Sequence, residues 1–364
     1  MNRERNILVL DAGGTNLIFK AVNKGVILDE TVSLPSQSVY LEDLLKKIIQ
    51  GFKEIDELTG NNAAAISFCF PGPADYENGI IGDLENLPLF RGGVALKKML
   101  ENEFKIPVFI NNDGDLFTLG EAIGGVLPEI NKNLAEAGIN KHYKNLLGVT
   151  LGTGFGGGIV SNEQLFIGDN SAGAEINRMV NPLDWNTSIE ETLTIRGIKR
   201  LFAEEANIPH EQSPEPFEIY QIGLGEKEGN QKAAIAAWEN FGIVLADALA
   251  NAISLVDGIA VIGGGLSGAN QLFLPKTVEM MNRKFKRAEK GEFPRMEVIA
   301  YNLEDKTGLN QFLRHDKKMI KVPFSEETIP FYEEKKTGIA ISHLGTSEAV
   351  AIGAYHYAAQ KLDL

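Results

Sequence analysis

The chain of 364 residues has one cysteine, Cys69, which excludes an intrachain disulfide framework. Cys69 stands in the apolar run AAISFCF, so the expected state is a buried thiol in a reducing compartment, the cytoplasm. Long hydrophobic runs are missing as well. ILVL near the start is too short for a signal segment or a membrane span, and no later run approaches the length of a span without a charge. Neither secretion nor membrane insertion is expected. Blocks of positive charge are also absent, and the formal net charge is −14, so no field attracts nucleic acid or anionic lipid. No G-x-x-x-x-G-K-[ST] phosphate loop occurs anywhere.

What the chain does have is a globular balance, 44% hydrophobic and 23% charged residues, at a length beyond one hydrophobic core. Two lobes are expected. The opening reads strand, glycine turn, strand: Ile7 to Leu10, the glycines after Asp11, Leu17 to Val22, and a third strand over Val26 to Leu34. Apolar residues at Leu44, Leu45, Ile48, Ile49, Phe52 and Ile55 predict a helix from Leu41 to near Gly60, followed by a buried strand, Ala64 to Phe68. PGPADYENG reads as an ordered loop and Val94 to Phe104 as a helix. The strand Val108 to Ile110 then delivers Asn111, Asn112 and Asp113 at its carboxyl end, the end where open α/β sheets bind ligands.

A second such unit starts at Leu146 to Leu151, enters LGTGFGGG, and continues through Ile159-Val160, a turn and Gln164 to Phe166. Ile235 to Val256 reads as a long core helix, followed by the strand Ile259 to Ile262, the loop GGGLSG and a helix from Asn270 to Phe285. Tyr301 to Thr337 has mixed charge and little periodicity and is expected to be a surface excursion. The chain closes with a helix over Glu348 to Gln360, whose Ala349, Ala351, Gly353 and Ala354 permit close packing.

Three glycine-rich loops bear on chemistry. In DAGGTN, Asp11 ends a strand and Gly13-Gly14 let backbone N–H groups near Thr15 and Asn16 approach anionic oxygens. Asp11 can then hold magnesium, directly or through water; a plain hairpin turn is the alternative. LGTGFGGG contains a literal G-x-G-x-x-G at Gly152, Gly154 and Gly157, but a strand and not a helix follows it, which argues against a dinucleotide fingerprint. That leaves a phosphate-cradling hairpin around Gly152, Thr153 and Gly154, or a structural one. GGGLSG, with Gly263, Gly264 and Gly265, offers bare backbone to an adenosine. Asp113 is a candidate general base for a sugar hydroxyl, with a turn or cap as the alternative reading.

In order, DAGGTN, PGPAD, ENLP, NNDGDLFTLGE, LGTGFGGG, SAGAEIN, VIGGGLSG and SEAVAIGAY resemble the ROK family of repressors, open reading frames and sugar kinases, within the actin, hexokinase and Hsp70 ATPase superfamily. The resemblance implies an α/β protein with the two-lobed, actin-like (ribonuclease H-like) fold, each lobe a mixed sheet flanked by helices. The expected division is 1–114 plus 348–364 as the small lobe and 115–347 as the large one, with the excursion near 301–337. It implies an ATP-dependent, glucokinase-like sugar kinase using ATP and Mg2+, with Asp113 as the base. Gly72, Asn86, Asn112, Glu175, Arg178 and Glu190 fall on its substrate-binding positions, and the three glycine loops on its ATP contacts.

One departure stands out. The family's usual metal-binding histidine is Arg178 here, and Asn181 to Ser188 contains no cysteine, so no structural zinc is expected. Arg178 is expected either to pair with Glu175 or Glu190 or to meet an anionic group on the substrate. The resemblance leaves the sugar open among glucose, N-acetylglucosamine, N-acetylmannosamine, fructose and allose, and implies a monomer or homodimer. Related repressors carry an N-terminal helix-turn-helix; six residues precede the strand at Ile7, so none is expected. A non-catalytic sugar sensor without a DNA-binding domain is the alternative function.

Overall fold

The computed structural model describes residues 5–12, 15–72, 74–82, 88–314 and 316–364, and the chain forms two compact units. One comprises Met1–Gly125, Gly158–Ala174 and His343–Leu364; the other comprises Val126–Gly157 and Glu175–Ser342. The helix Asp113–Ile123 runs across the boundary expected at residue 114 and belongs wholly to the first unit, because it is buried there against the C-terminal helix.

The first unit is built on a six-stranded sheet. Asn6–Ala12 is its central strand, apolar on both faces, pairing antiparallel with Asn16–Asn23 and parallel with Ala63–Cys69. Val108–Asn111 extends the parallel side. The expected third strand is split: Val26–Ile27 and Val32–Pro35 each pair with Asn16–Asn23, and the residues between them leave the sheet. The helix Leu41–Leu58 packs its apolar stripe on one sheet face, where Phe52 meets Phe19 edge to face at 5.0 Å. PGPADYENG is more regular than a loop, since Ala74–Asp75 pairs with Ile80–Ile81, which also takes Val94–Ala95. The helix that follows therefore starts at Leu96.

The C-terminal helix Thr346–Leu362 returns to this unit and crosses Asp113–Ile123 at backbone contact. A Cβ on Gly120 would sit 1.9 Å from the Ala349 carbonyl oxygen, and one on Gly353 would sit 1.9 Å from that of Leu116. The small residues read from the sequence do permit close packing. A third approach comes from Gly158, where a Cβ would meet Thr118 Oγ1 and the Gly114 carbonyl.

In the second unit, Asn145–Leu151 and Ile259–Gly263 pair in parallel, followed by Lys336–Ile341 and Ile299–Asn302. The strand Phe155–Ser161 lies on the other side of Asn145–Leu151 and leaves this unit after Gly157. Hairpin first and parallel strands after is also the order of the first unit's sheet, so the echo seen in the sequence is real. Gln231–Val256 is long and apolar enough to cross a membrane, but 67% of its most apolar window is buried in the structure. Its Trp238 and Phe241 form a fully buried aromatic cluster with Phe273.

Two sequence expectations are corrected here. The helix from Asn270 ends at Met281, and Lys284–Lys286 pairs with Glu292–Pro294 as a hairpin instead of continuing it. The 301–337 segment is only partly an excursion. Its ends lie in core strands, and Lys306–Phe312 packs against the sheet through the buried Phe312, which stacks on Tyr143. Only the hairpin Lys317–Lys321 with Thr328–Tyr332 is exposed along its whole length.

Gly120→Ala and Gly353→Ala are each expected to cost about 1–3 kcal/mol through overpacking at the helix crossing, read as a lower denaturant midpoint. Gly268→Ala, where a Cβ meets nothing within 4 Å among the described residues, serves as the control and should stay within about 0.5 kcal/mol of the parent.

Candidate functional site

In the first unit the sequence-predicted residues gather at the carboxyl ends of parallel strands. Asp11 lies near the end of Asn6–Ala12, and its Oδ2 accepts a hydrogen bond from Ser347 Oγ at 2.7 Å. Ser347 stands in the first turn of the C-terminal helix. Thr15 and Asn16 are exposed at the start of the return strand, and the Thr15 carbonyl accepts from the Ser36 N–H at 3.0 Å. Gly13, Gly14 and Asn86 lie outside the described residues.

Asp113 is the first residue of its helix, directly after the strand Val108–Asn111 and the cap residue Asn112. Asn112 Oδ1 accepts from the Gly114 N–H at 2.8 Å, and Asp113 Oδ1 accepts from the same N–H at 2.9 Å. Both bonds use one donor that the helix start leaves free, and they fix the two side chains relative to one another. Asp113 keeps exposed surface, yet the protein packed around it displaces much of the bulk water, which raises its pKa above the usual 3.8. The Gly114 N–H opposes that rise and the charge of Asp11 adds to it. Because water still reaches the carboxylate, the rise is weaker than full burial would give.

Tyr76 joins this group, and sequence reasoning missed it. Its hydroxyl donates to the Phe70 carbonyl at 2.9 Å and accepts from Asn112 Nδ2 at 3.4 Å. A Cβ on Gly72 would lie 2.7 Å from that hydroxyl, so it is glycine at 72 that lets the backbone sit against it. Burial, with Asp113 and Asp11 nearby, pushes the Cys69 thiol far up, so it is no nucleophile.

In the second unit the glycine hairpin is tight at its base. The Gly152 N–H donates to the Gly154 carbonyl at 3.0 Å, and the Gly152 carbonyl accepts from the Ile195 N–H at 2.9 Å. Thr153 and Gly154 are exposed, and a Cβ on Gly152 would meet nothing within 4 Å. Gly264, at the end of Ile259–Gly263, has a φ of +86° and sits on Leu151, where a Cβ would come 2.3 Å from the carbonyl oxygen. Only glycine fits there. Gly265 beside it faces open space. Gly152 and Gly265 therefore present bare backbone where a phosphate or an adenosine can approach, which is the fit an adenine nucleotide requires.

Glu175 and Arg178 flank the short turn Ile176–Arg178, and both are exposed. The Arg178 N–H donates to the Glu175 carbonyl at 3.1 Å, but its guanidinium forms no ion pair among the described residues. The expected pairing of Arg178 with Glu175 or Glu190 does not form, because another arginine fills that place. Arg196 Nη2 lies 3.8 Å from Glu190 Oε1 and 2.8 Å from Glu191 Oε1, while Asn177 Nδ2 donates to Glu190 Oε2 at 3.2 Å. Glu190 Oε1 would also stand 3.7 Å from a Cβ on Gly154, so this carboxylate borders the glycine hairpin. Asn177 and Arg196 were not foreseen, since nothing in local spacing distinguishes them from surface polar residues.

Residues 7–310 match the ROK family. A glucokinase from Parabacteroides distasonis ATCC 8503, known from a crystal structure, is similar over 99% of this chain and 98% of its own, with 44% identity and a TM-score of 0.88. The glucokinase of Thermotoga maritima is 26% identical over 282 residues, covering 73% of this chain and 84% of the relative. The N-acetyl-D-glucosamine kinase of Vibrio cholerae is 28% identical over 285 residues, covering 74% and 87%. The actin-like ATPase fold and these matches lead to one conclusion: the chain belongs to the ROK family.

Proposed function

We propose that this chain is an ATP-dependent carbohydrate kinase that transfers the γ-phosphate of ATP to the C6 hydroxyl of a hexose or an N-acetylated amino sugar. The observation that carries the reading is Asp113: a carboxylate with a raised pKa, held by the Gly114 N–H at the carboxyl end of a parallel strand. Relatives named glucokinase and N-acetyl-D-glucosamine kinase support the acceptor class.

Asp113 takes the proton from the attacking hydroxyl, and its raised pKa brings its basicity closer to that oxygen's needs than an ordinary aspartate's. Asn112 and the Gly72 backbone bind sugar hydroxyls from the same unit, with Tyr76 fixing both. Glu175, Arg178 and Glu190 serve as acceptor contacts, and the guanidinium of Arg178, which forms no ion pair among the described residues, is available to substrate. Backbone N–H groups of Thr153 and Gly154 donate to phosphate oxygens as charge develops on them, while Gly152 lets those oxygens approach the backbone. Gly263, Gly264 and Gly265 accommodate the adenosine. Asp11, together with Thr15, Asn16 and the glycines between, serves the phosphates, and its carboxylate would hold Mg2+ directly or through water. When bound, Mg2+ supplies neutralisation of phosphate charge. We place the enzyme in the cytoplasm, where ATP and free sugars meet.

Asp113→Ala is expected to abolish phosphorylation of glucose and N-acetylglucosamine in a coupled ADP-release assay, while ATP binding by titration calorimetry persists. Normal turnover in that variant sinks the assignment, and a parent that binds sugar without turnover identifies a sensor instead.

The pH dependence follows from the same group. The base acts when ionised, so kcat/KM should fall as pH drops through the raised pKa of Asp113, at a higher pH than a free aspartate would give. For stability the sign is reversed. An acid whose folded pKa is raised favours the fold below its unfolded pKa, and that contribution is lost as pH rises through the folded value. Asp113→Asn is therefore expected to lose activity at neutral pH while its Tm stays equal to the parent's or rises by up to about 2 °C; a clear fall in Tm contradicts this.

A further inference from the structure

We propose that Asn181 is a positioning residue for sugar binding: its buried amide clasps together the two short turns that carry Asn177 and Arg178 on one side and Glu190 on the other. The proposal rests on the sugar-contact reading of Glu190 and Arg178 given above, and all the residues concerned lie in the second unit.

The turn Ile176–Arg178 runs through Met179 into the strand Val180–Asn181, which pairs with Asp184–Ser188; the turn Ile189–Glu191 follows at once. This hairpin is short, and its outer residues Val180, Leu183 and Trp185 are exposed, so apolar burial cannot hold it. Asn181 is the exception, with 1% of its surface exposed. Its Oδ1 accepts from the Leu183 N–H at 3.0 Å, closing the hairpin turn. Its Nδ2 donates to Thr187 Oγ1 at 3.2 Å and to Thr192 Oγ1 at 3.0 Å. One side chain thus ties the first strand, the hairpin turn, the second strand and the residue after the Glu190 turn.

The remaining bonds show what the clasp holds in place. The Ile189 N–H donates to the Met179 carbonyl at 2.9 Å, and the Thr192 N–H to the Ile189 carbonyl at 3.0 Å, so the two turns meet along their backbones. Arg200 Nη2 donates to the Glu191 carbonyl at 3.0 Å and locks the second turn from outside. Across the two turns, Asn177 and Glu190 join at 3.2 Å. Without Asn181, the Leu183 N–H and the Thr192 hydroxyl lose their bridge, and Glu190 loses its fixed distance from Asn177 and Arg178.

The glycine hairpin has a separate tie. Ile195 donates to Gly152, and Thr194 Oγ1 caps the following helix by accepting from the Gly197 N–H at 3.3 Å. Neither bond involves Asn181. Loss of the clasp is therefore expected to weaken sugar binding and to spare the nucleotide.

The test is a double-mutant cycle on the full chain with Asn181→Ala and Thr192→Val, measured for glucose and ATP separately. Each single variant is expected to raise the KM for glucose roughly tenfold, the effect of a lost buried hydrogen bond, while the KM for ATP stays within about twofold. The pair should cost little more than Asn181→Ala alone, because the Asn181–Thr192 bond that Thr192→Val breaks is already lost there. An unchanged KM for glucose, or an equal rise for both substrates, overturns the proposal. If Asn181→Ala does not fold, Thr192→Val keeps the side-chain volume and carries the test alone. Calorimetric titration with glucose reads the clasp without turnover, so a parent that binds glucose but transfers no phosphate defeats the kinase reading and still leaves the clasp decided.

Discussion

Backbone contact between the helices Asp113–Ile123 and Thr346–Leu362 is the constraint on which the first unit depends. At Gly120 and Gly353 each helix rests on the other's carbonyl oxygens, with no side chain between them. Gly158 presses on the first of these helices near Thr118. A helix held this closely has little freedom to slide or roll, and Asp113 is its first residue. The proposed base is thus located by packing along the helix's length, and its own side chain needs only the bond from the Gly114 N–H to set its direction. The same crossing brings Ser347 to Asp11, so one contact orders both carboxylates.

The candidate residues of the two units are ordered by different means. In the first unit, buried strands and helices do it, and even the polar residue Tyr76 is buried. In the second, the proposed acceptor residues ride on short turns where apolar burial is scarce and hydrogen bonds replace it. There this chain places an asparagine amide among threonine hydroxyls. An amide fixes a loop through directed, neutral bonds that depend on their geometry, whereas a metal fixes it through strong bonds that depend on the ion's availability.

Much of this was legible in the sequence, for identifiable reasons. The strand ending in Asp11, the strand ending before Asn112, the glycine hairpin and the small-residue face of the last helix are all local patterns of period two, period 3.6 or turn chemistry. The features missed are long-range. Lys336–Ile341 looked like the end of a loop because its first residues are charged and polar, yet Lys336 is buried, with its ammonium donating to the carbonyls of Gln311 and Arg314. Tyr76 sits in a turn-rich segment and acquires its role only through Asn112, and Arg196 reaches Glu190 from the following helix. Spacing along the chain does not encode such partners.

The bond between Ser347 and Asp11 joins residues 336 positions apart, and its consequence concerns the order in which the protein is made. The helix that completes the first unit leaves a ribosome after Val126–Gly157 and Glu175–Ser342, which are already available by then. During synthesis the second unit can collapse while the first sheet still waits for its covering helix, leaving the Asp113–Ile123 face open to solvent. The newborn chain is therefore most exposed to aggregation just before Thr346–Leu362 emerges, and loss of that helix uncovers the end of the first unit where Asp11 and Asp113 lie.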